Sequence, residues 1–273
     1  MKKYGFIGLG DQGGPIARRM IDAGLPVALW ARRPETLEAF SDTSADLMPD
    51  IAAFAEVVDY VAICVVDDKG MREVCARLMP LLGAGSCIVI HSTVSPELCR
   101  ELNREAQTAG LKLIDAPVSG GSPAAKEGKL TVMVGGDTEV LEDIRPVLQT
   151  FSRLIVHLGE VGAGQHAKLL NNSMLAANIG VAHHCLEAAR ALSLDRQAFL
   201  ELINASSGRS FGFEVRARMP GPESFQHGAK LLAKDVALLE DALRQSPDFP
   251  PIRDASRVFL DLAVGQHQPE SGD

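Results

Sequence analysis

The sequence predicts an α/β half followed by an all-α half. A doubly wound, mainly parallel sheet is expected over residues 1–160, and a helical domain over 161–273 that starts with a long central helix. Three observations carry this. Short apolar runs alternate with helix-length segments through the first half, as βα units do. The first run is followed at once by a glycine turn. After Gly164 no convincing strand remains, and residues 169–186 hold no Asp, Glu, Lys or Arg.

Taken in order, strands are expected over residues 4–7, 25–30, 57–66, 87–90, 111–115, 129–134 and 153–156, the last two completing the sheet. Helices are expected over 15–21, 69–79, from 96, and over 138–149. Ser95 serves as N-cap and Pro96 as the first helical residue. The second half reads as helices over 194–203, 211–219, 227–243 and 252–264, with a break at Met219-Pro220-Gly221-Pro222 and a polar, frayed tail after Gly265.

Composition narrows the function classes. A chain of 273 residues with 46% hydrophobic residues can build one large or two medium domains with a sizeable core. A formal net charge of −8 with no dense Lys/Arg cluster argues against a nucleic-acid partner. Five cysteines with no C-x-x-C point to reduced thiols, and no signal peptide precedes the first strand, so a cytoplasmic protein is expected. The uncharged segment 169–186 is nearly long enough to span a membrane. However, Asn171, Asn172, Asn178, His183 and His184 interrupt it, so a buried helix of a soluble protein fits better. His183 and His184 are adjacent, face different ways, and read as structural; no metal is implied.

The glycine turn is Gly8-Leu9-Gly10-Asp11-Gln12-Gly13, a G-x-G-x-x-G between a strand and a helix. That context makes it a dinucleotide-binding turn of a Rossmann-type domain. Gly8 permits the turn, Gly10 lets backbone approach a pyrophosphate, and Gly13 lets helix and strand pack closely. The second strand ends Ala31-Arg32-Arg33, where NAD-binding chains place an acid for the ribose 2′-hydroxyl. A guanidinium suits a 2′-phosphate, so NADP is favoured over NAD; the alternative is that the arginines cap a solvated turn and either cofactor is accepted. The other strand ends, Val65–Asp68, Ser92–Thr93 and Asp115–Gly121, are where such sheets bind ligands. Ser119-Gly120-Gly121 could cradle a carboxylate, although composition alone describes an ordinary Pro/Gly loop.

Gly159-Glu160-Val161-Gly162-Ala163-Gly164 is a second glycine turn, and Gln165, Lys168 and Asn172 share one face of the helix that follows. A single lysine at the mouth of an uncharged helix is either functional or a snorkelling side chain, and the spacing does not separate the two. Lys234-Asp235 lies in an apolar helical run and could equally be a surface ion pair.

Together these segments resemble the β-hydroxyacid dehydrogenase family, which includes the 3-hydroxyisobutyrate dehydrogenases and semialdehyde reductases. The likeness spans nearly the whole chain and rests on four motifs in order: Gly8-x-Gly10-x-x-Gly13, Asp115-Ala116-Pro117-Val118-Ser119-Gly120-Gly121, Gly159-x-x-Gly162-x-Gly164-x-x-x-Lys168-x-x-Asn171-Asn172, and Lys234-Asp235. The resemblance implies hydride transfer between NADP(H) and a small 3-hydroxy acid or semialdehyde. It makes Lys168 the general acid/base and gives substrate binding to Ser119, Gly120, Gly121 and Asn172. It also places Thr93 near the nicotinamide and has Lys234 and Asp235 close the site from the helical domain. Val65 and Val66, at a strand end, are expected on the cofactor side, and the apolar helical half suggests a homodimer or homotetramer. Two departures stand out: Val65-Val66 where the family often has Leu-Pro, and His227 where it often has Phe. The 6-phosphogluconate dehydrogenases carry Lys-x-x-His-Asn at the third motif and imine reductases usually replace the lysine, so neither fits as well. A non-catalytic NADP-binding scaffold on this fold has no need of a buried lysine.

Overall fold

The computed structural model describes residues 2–244 and 249–265. By its internal contacts the chain divides into two compact units, up to Lys168 and from Leu169 onward.

The first unit holds a six-stranded parallel sheet. Its strands are β1 (Tyr4–Ile7), β2 (Val27–Trp30), β3 (Asp46–Leu47), β4 (Tyr60–Ile63), β5 (Cys87–Ile90) and β6 (Lys112–Asp115), in the order β3-β2-β1-β4-β5-β6. Tyr4 pairs with Val27 on one side and Tyr60 on the other. β2 and β5 are buried along their whole length, as expected of apolar strands covered on both faces. The covering helices are α1 (Gly13–Asp22), α2 (Ile51–Val57), α3 (Asp68–Leu78) and α4 (Pro96–Thr108). Ser95 caps α4 as read, its hydroxyl accepting from Leu98 N at 3.2 Å.

Several expectations are corrected. The strand read over residues 57–66 is shorter, because α2 runs to Val57. Its cap Asp50, whose carboxylate accepts from the amides of Ala52 and Ala53, went unread. The strands expected to complete the sheet do not join it. β8 (Leu130–Val134) and β9 (Ser152–His157) form a separate three-stranded sheet with β7 (Val118–Ser119), in the order β7-β8-β9. β7 is antiparallel to β8, the chain turning back through residues 120–129, and α5 (Gly121–Lys126) and α6 (Thr138–Leu148) flank this small sheet.

The long helix is α7 (Ala163–Ala191), 29 residues. It is not buried all round: Leu170, Met174 and Val181 are exposed. The second unit continues with α8 (Arg196–Ala205), α9 (Phe211–Ala217), α10 (Gln226–Ala242) and α11 (Phe249–Ala263). Its core gathers Ala176 and Ile179 with Leu232, Val236, Phe259 and Leu260. His183 is structural, as read: its Nδ1 accepts from the buried Arg216 Nε at 3.2 Å and its ring meets Phe259 edge-on. The tail after Gly265 lies outside the described residues. No described helix is long and apolar enough to cross a membrane.

Candidate functional site

The strand order reverses between β1 and β4, and the carboxyl ends of those strands open a cavity of about 850 Å³, within the range of ligand sites. Among the residues assigned to the cofactor, Gly8, Leu9, Gly10, Ala31, Arg32, Arg33, Val65 and Val66 line it together. Gly8 has φ +95° and a Cβ there would meet the Cys64 carbonyl oxygen at 2.1 Å; at Gly13 it would meet the Gly8 carbonyl oxygen at 1.9 Å. A Cβ at Gly10 would meet nothing within 4 Å, so that residue leaves open space beside bare backbone. The Gln12 Nε2 is buried at the turn with no hydrogen-bond partner, a donor left for an acceptor there. Asp11 is exposed. These features fit a dinucleotide: a turn open to a pyrophosphate, an orphan donor, and the N-terminus of α1.

The lining also brings in residues the sequence reading did not assign: Trp30, Thr36, Cys64, Lys69, Gly70, Glu73, Val74 and Arg77. Arg77 lies over the Trp30 ring at 5.4 Å, and Glu73 sits 3.8 Å from Arg32 and 4.0 Å from Lys69. The helical spacing of Lys69, Glu73 and Arg77 on α3 was the available signal. Burial pushes the Cys64 thiol up to about 12, so it is an inert wall rather than a nucleophile.

Lys168, on the second turn of α7, is 9% exposed. The start of its helix is held by Asp115, a fully buried carboxylate at the end of β6. Its Oδ1 accepts from Gly162 N at 2.6 Å and its Oδ2 from Gln165 N at 2.8 Å. Burial pushes the Asp115 carboxyl up to about 6, and those two amides pull the other way. A Cβ at Gly164 would meet Asp115 Oδ2 at 2.8 Å and the Met133 carbonyl oxygen at 2.4 Å, so the last glycine of the turn is there for close approach. Thr93 stands in the loop after β5, where Ser92 Oγ accepts from Val65 N at 2.7 Å. Ser119 ends β7, and Gly120 and Gly121 lead into α5 with φ +130° and +69°.

In the second unit, Asn172 and Asp235 are both buried and joined: Asn172 Nδ2 donates to Asp235 Oδ2 at 2.6 Å. Asn171 Nδ2 donates to Asn172 Oδ1 at 3.0 Å. Lys234 Nζ lies 3.1 Å from Asp235 Oδ1, which has ion-pair distance but no hydrogen-bond geometry. With Asp235 buried, this is not the surface pair that the sequence left open. Among the described residues no group of His, Cys, Asp and Glu is arranged to hold a metal ion.

Two family models match. The NAD-binding domain of 6-phosphogluconate dehydrogenase matches residues 3–159, and the NAD-binding domain of NADP-dependent 3-hydroxyisobutyrate dehydrogenase matches residues 162–256. The chain is 32% identical to an NAD-dependent L-serine dehydrogenase of Pseudomonas aeruginosa, over 99% of this chain and 95% of that protein. It is 30% identical to the mitochondrial 3-hydroxyisobutyrate dehydrogenase of Mus musculus, over 87% of this chain and 75% of that protein. Its fold is similar to that of Mycobacterium tuberculosis 3-hydroxyisobutyrate dehydrogenase with L-serine. The TM-score is 0.85 at 27% identity, covering 97% of this chain and 94% of that one. It is also similar to Psf3 in complex with NADP+ and 2-OPP, with a TM-score of 0.83 at 26% identity, covering 94% and 92%. A glycine turn at the switch point of the sheet, a buried lysine on the long helix and matches along almost the whole chain make this protein a member of the β-hydroxyacid dehydrogenase family, a nicotinamide-dependent oxidoreductase of hydroxy acids.

Proposed function

We propose that the chain transfers a hydride reversibly between NADP(H) and a small 3-hydroxy acid or its semialdehyde, with Lys168 as general acid/base. The observation that carries this is the buried Lys168 at the head of α7, on a helix whose start is held by the buried Asp115 carboxylate. The relatives named above act on, or are seen with, 3-hydroxyisobutyrate and L-serine; both are 3-hydroxy acids, which supports the substrate class. Arg32 and Arg33 at the cavity rim favour NADP, with NAD accepted less well.

A nicotinamide held in the cavity would supply the hydride for reduction of the carbonyl and accept it in oxidation of the alcohol. In reduction, the Lys168 ammonium donates a proton to the developing alkoxide. In oxidation, the neutral Lys168 amine takes the hydroxyl proton. Backbone amides of Gly120 and Gly121, with the Ser119 hydroxyl, hold the substrate carboxylate. Asn172, four residues beyond Lys168 on the same helix, orients the substrate's oxygen, and Asp235 fixes the rotamer of that amide. We assign Thr93 to the nicotinamide, and Lys234 and Asp235 to cofactor binding as well. The protein works in the cytoplasm as a homodimer or homotetramer, and exposed Leu170, Met174 and Val181 favour self-association. Light scattering that returned only the monomer mass would overturn the assembly.

Lys168→Ala should lose about 10²- to 10⁴-fold in kcat while still binding NADPH. Lys168→Arg should not rescue it, because a guanidinium does not release its proton at working pH. A snorkelling lysine predicts the reverse: Arg keeps activity, and Ala costs stability more than rate. Near-normal turnover by a folded Lys168→Ala protein sinks the assignment.

A further inference from the structure

The geometry points to Gln165 as a positioning residue that sets the cofactor-side loop Ser92–Val94 in register with Lys168. This rests on the reading of Lys168 and Thr93 given above. Gln165 is fully buried, and its amide is matched on both ends to the backbone on either side of Thr93. Its Nε2 donates to the Ser92 carbonyl oxygen at 2.8 Å, and its Oε1 accepts from Val94 N at 3.2 Å. Its own backbone N–H donates to Asp115 at 2.8 Å. One residue therefore joins the ends of β5 and β6 to the first turn of α7.

The choice of residue is telling. An aliphatic side chain would pack a buried helix face without polar cost, whereas a buried amide is costly unless both its groups are paired. Here both are paired, and what they hold is the peptide pair around Thr93. Lys168 is three residues on, on the same face of the helix, so any rotation or slide of the first turn of α7 moves Gln165 and Lys168 together. Hydride and proton must reach the two ends of one carbonyl bond. The proton donor Lys168 and the loop assigned to the cofactor lie on segments more than seventy residues apart in sequence, and this amide links those segments directly. A misplacement of about 1 Å in such a pair costs on the order of 10²-fold in rate.

The test uses the full chain with NADPH and the best semialdehyde from a panel. Gln165→Met keeps the length of the side chain and removes both hydrogen bonds. It should lower kcat about 10- to 100-fold, with the NADPH Kd from fluorescence titration within about threefold of wild type. Gln165→Glu keeps the acceptor toward Val94 N but turns an oxygen toward the Ser92 carbonyl. Only the protonated form can donate there, and burial raises a carboxyl's pKa toward neutrality. The ratio of variant to wild-type kcat, normalised to NADPH-binding sites, should therefore rise about threefold or more from pH 8 to pH 6. A merely structural clamp predicts lower thermal stability with no such pH-dependent ratio. If Gln165→Met turns over within about twofold of wild type, or loses rate only in step with NADPH binding, the proposal is overturned. Should the Met variant fail to fold, the Glu variant decides: a rising ratio supports the role and a flat one overturns it. Loss of the Gln165 effect leaves the reading of Lys168 standing, since that reading falls only to an active Lys168→Ala.

Discussion

Arg32 is the second residue after β2, where an acid would bind a ribose 2′-hydroxyl. Its guanidinium is largely exposed at the cavity and lies 3.8 Å from the Glu73 carboxylate. A pair this exposed contributes at most about 1 kcal/mol, so a 2′-phosphate can draw Arg32 away at little cost. Arg32→Asp should therefore lower kcat/KM with NADP about 10- to 100-fold, the loss of one hydrogen bond to a charged group, and change it with NAD far less. Parallel changes for both cofactors would remove Arg32 from cofactor choice. Arg32 was readable because its place is fixed by local spacing from the glycine turn. Glu73 was not, since nothing local ties residue 73 to residue 32; only the fold brings α3 to that rim.

The segment from Asp115 to α5 shows how much an element can conceal. It was read as a loop that binds a carboxylate, and it also contains β7, the start of a second sheet. Gly120 has φ +130°, and a Cβ there would lie 2.7 Å from the Ala124 Cβ and 3.2 Å from the Leu130 side chain. Any larger residue at 120 therefore tests the fold rather than substrate binding. Ser119 is the cleaner probe, being half-buried at the end of a two-residue strand. Ser119→Ala should raise the substrate KM about tenfold, one hydrogen bond to a carboxylate, with the NADPH Kd unchanged. An unchanged KM in the folded variant would leave the loop with a structural role alone. The small sheet shows the limit of periodicity. β8 alternates buried and half-buried residues just as a strand of the main sheet might, so its existence was readable but its partners were not. The helix α2 was missed for a local reason: β-branched Val57 and Val58 blur the boundary with β4, and the cap Asp50 was the signal that would have found it.

Across the whole molecule, the two halves, the parallel sheet and the long helix followed from signals within a few residues of each other. The clamp of Asp115, Gln165 and Ser92 did not, because its hydrogen bonds join residues 50 and 73 positions apart. The same distant packing sets the response to acid. His91 at the end of β5 is buried between Phe6 and Phe151, and its Nδ1 lies 2.7 Å from the Ala116 carbonyl oxygen, so that nitrogen carries the proton of a neutral ring. Burial lowers its pKa to about 4, below the ordinary value of about 6.5 that it regains on unfolding. The unfolded chain therefore binds more protons than the folded one between these values. The stability that neutral His91 contributes is present above about pH 6.5 and is lost as pH falls toward 4, about 2 kcal/mol of it between pH 7 and pH 5. His183, also lowered by burial and by the Arg216 charge, has the same sign in the second unit. Asp115 has the opposite sign: raised to about 6, it favours the folded state below its ordinary carboxyl value and loses that contribution as pH rises through 6. These contributions have opposite signs, so His91 is read by difference. Trp30, the single tryptophan, lies in β2 beside β1, so its fluorescence follows unfolding of the first unit. Urea unfolding of wild type and His91→Phe should give curves whose separation changes by about 2 kcal/mol from pH 7 to pH 5, the wild type losing more. The carbonyl of Ala116 left unpaired in the variant costs the same at both pH values and drops out of the comparison. Equal losses in the two proteins would mean that His91 does not titrate between its folded and unfolded values in this range.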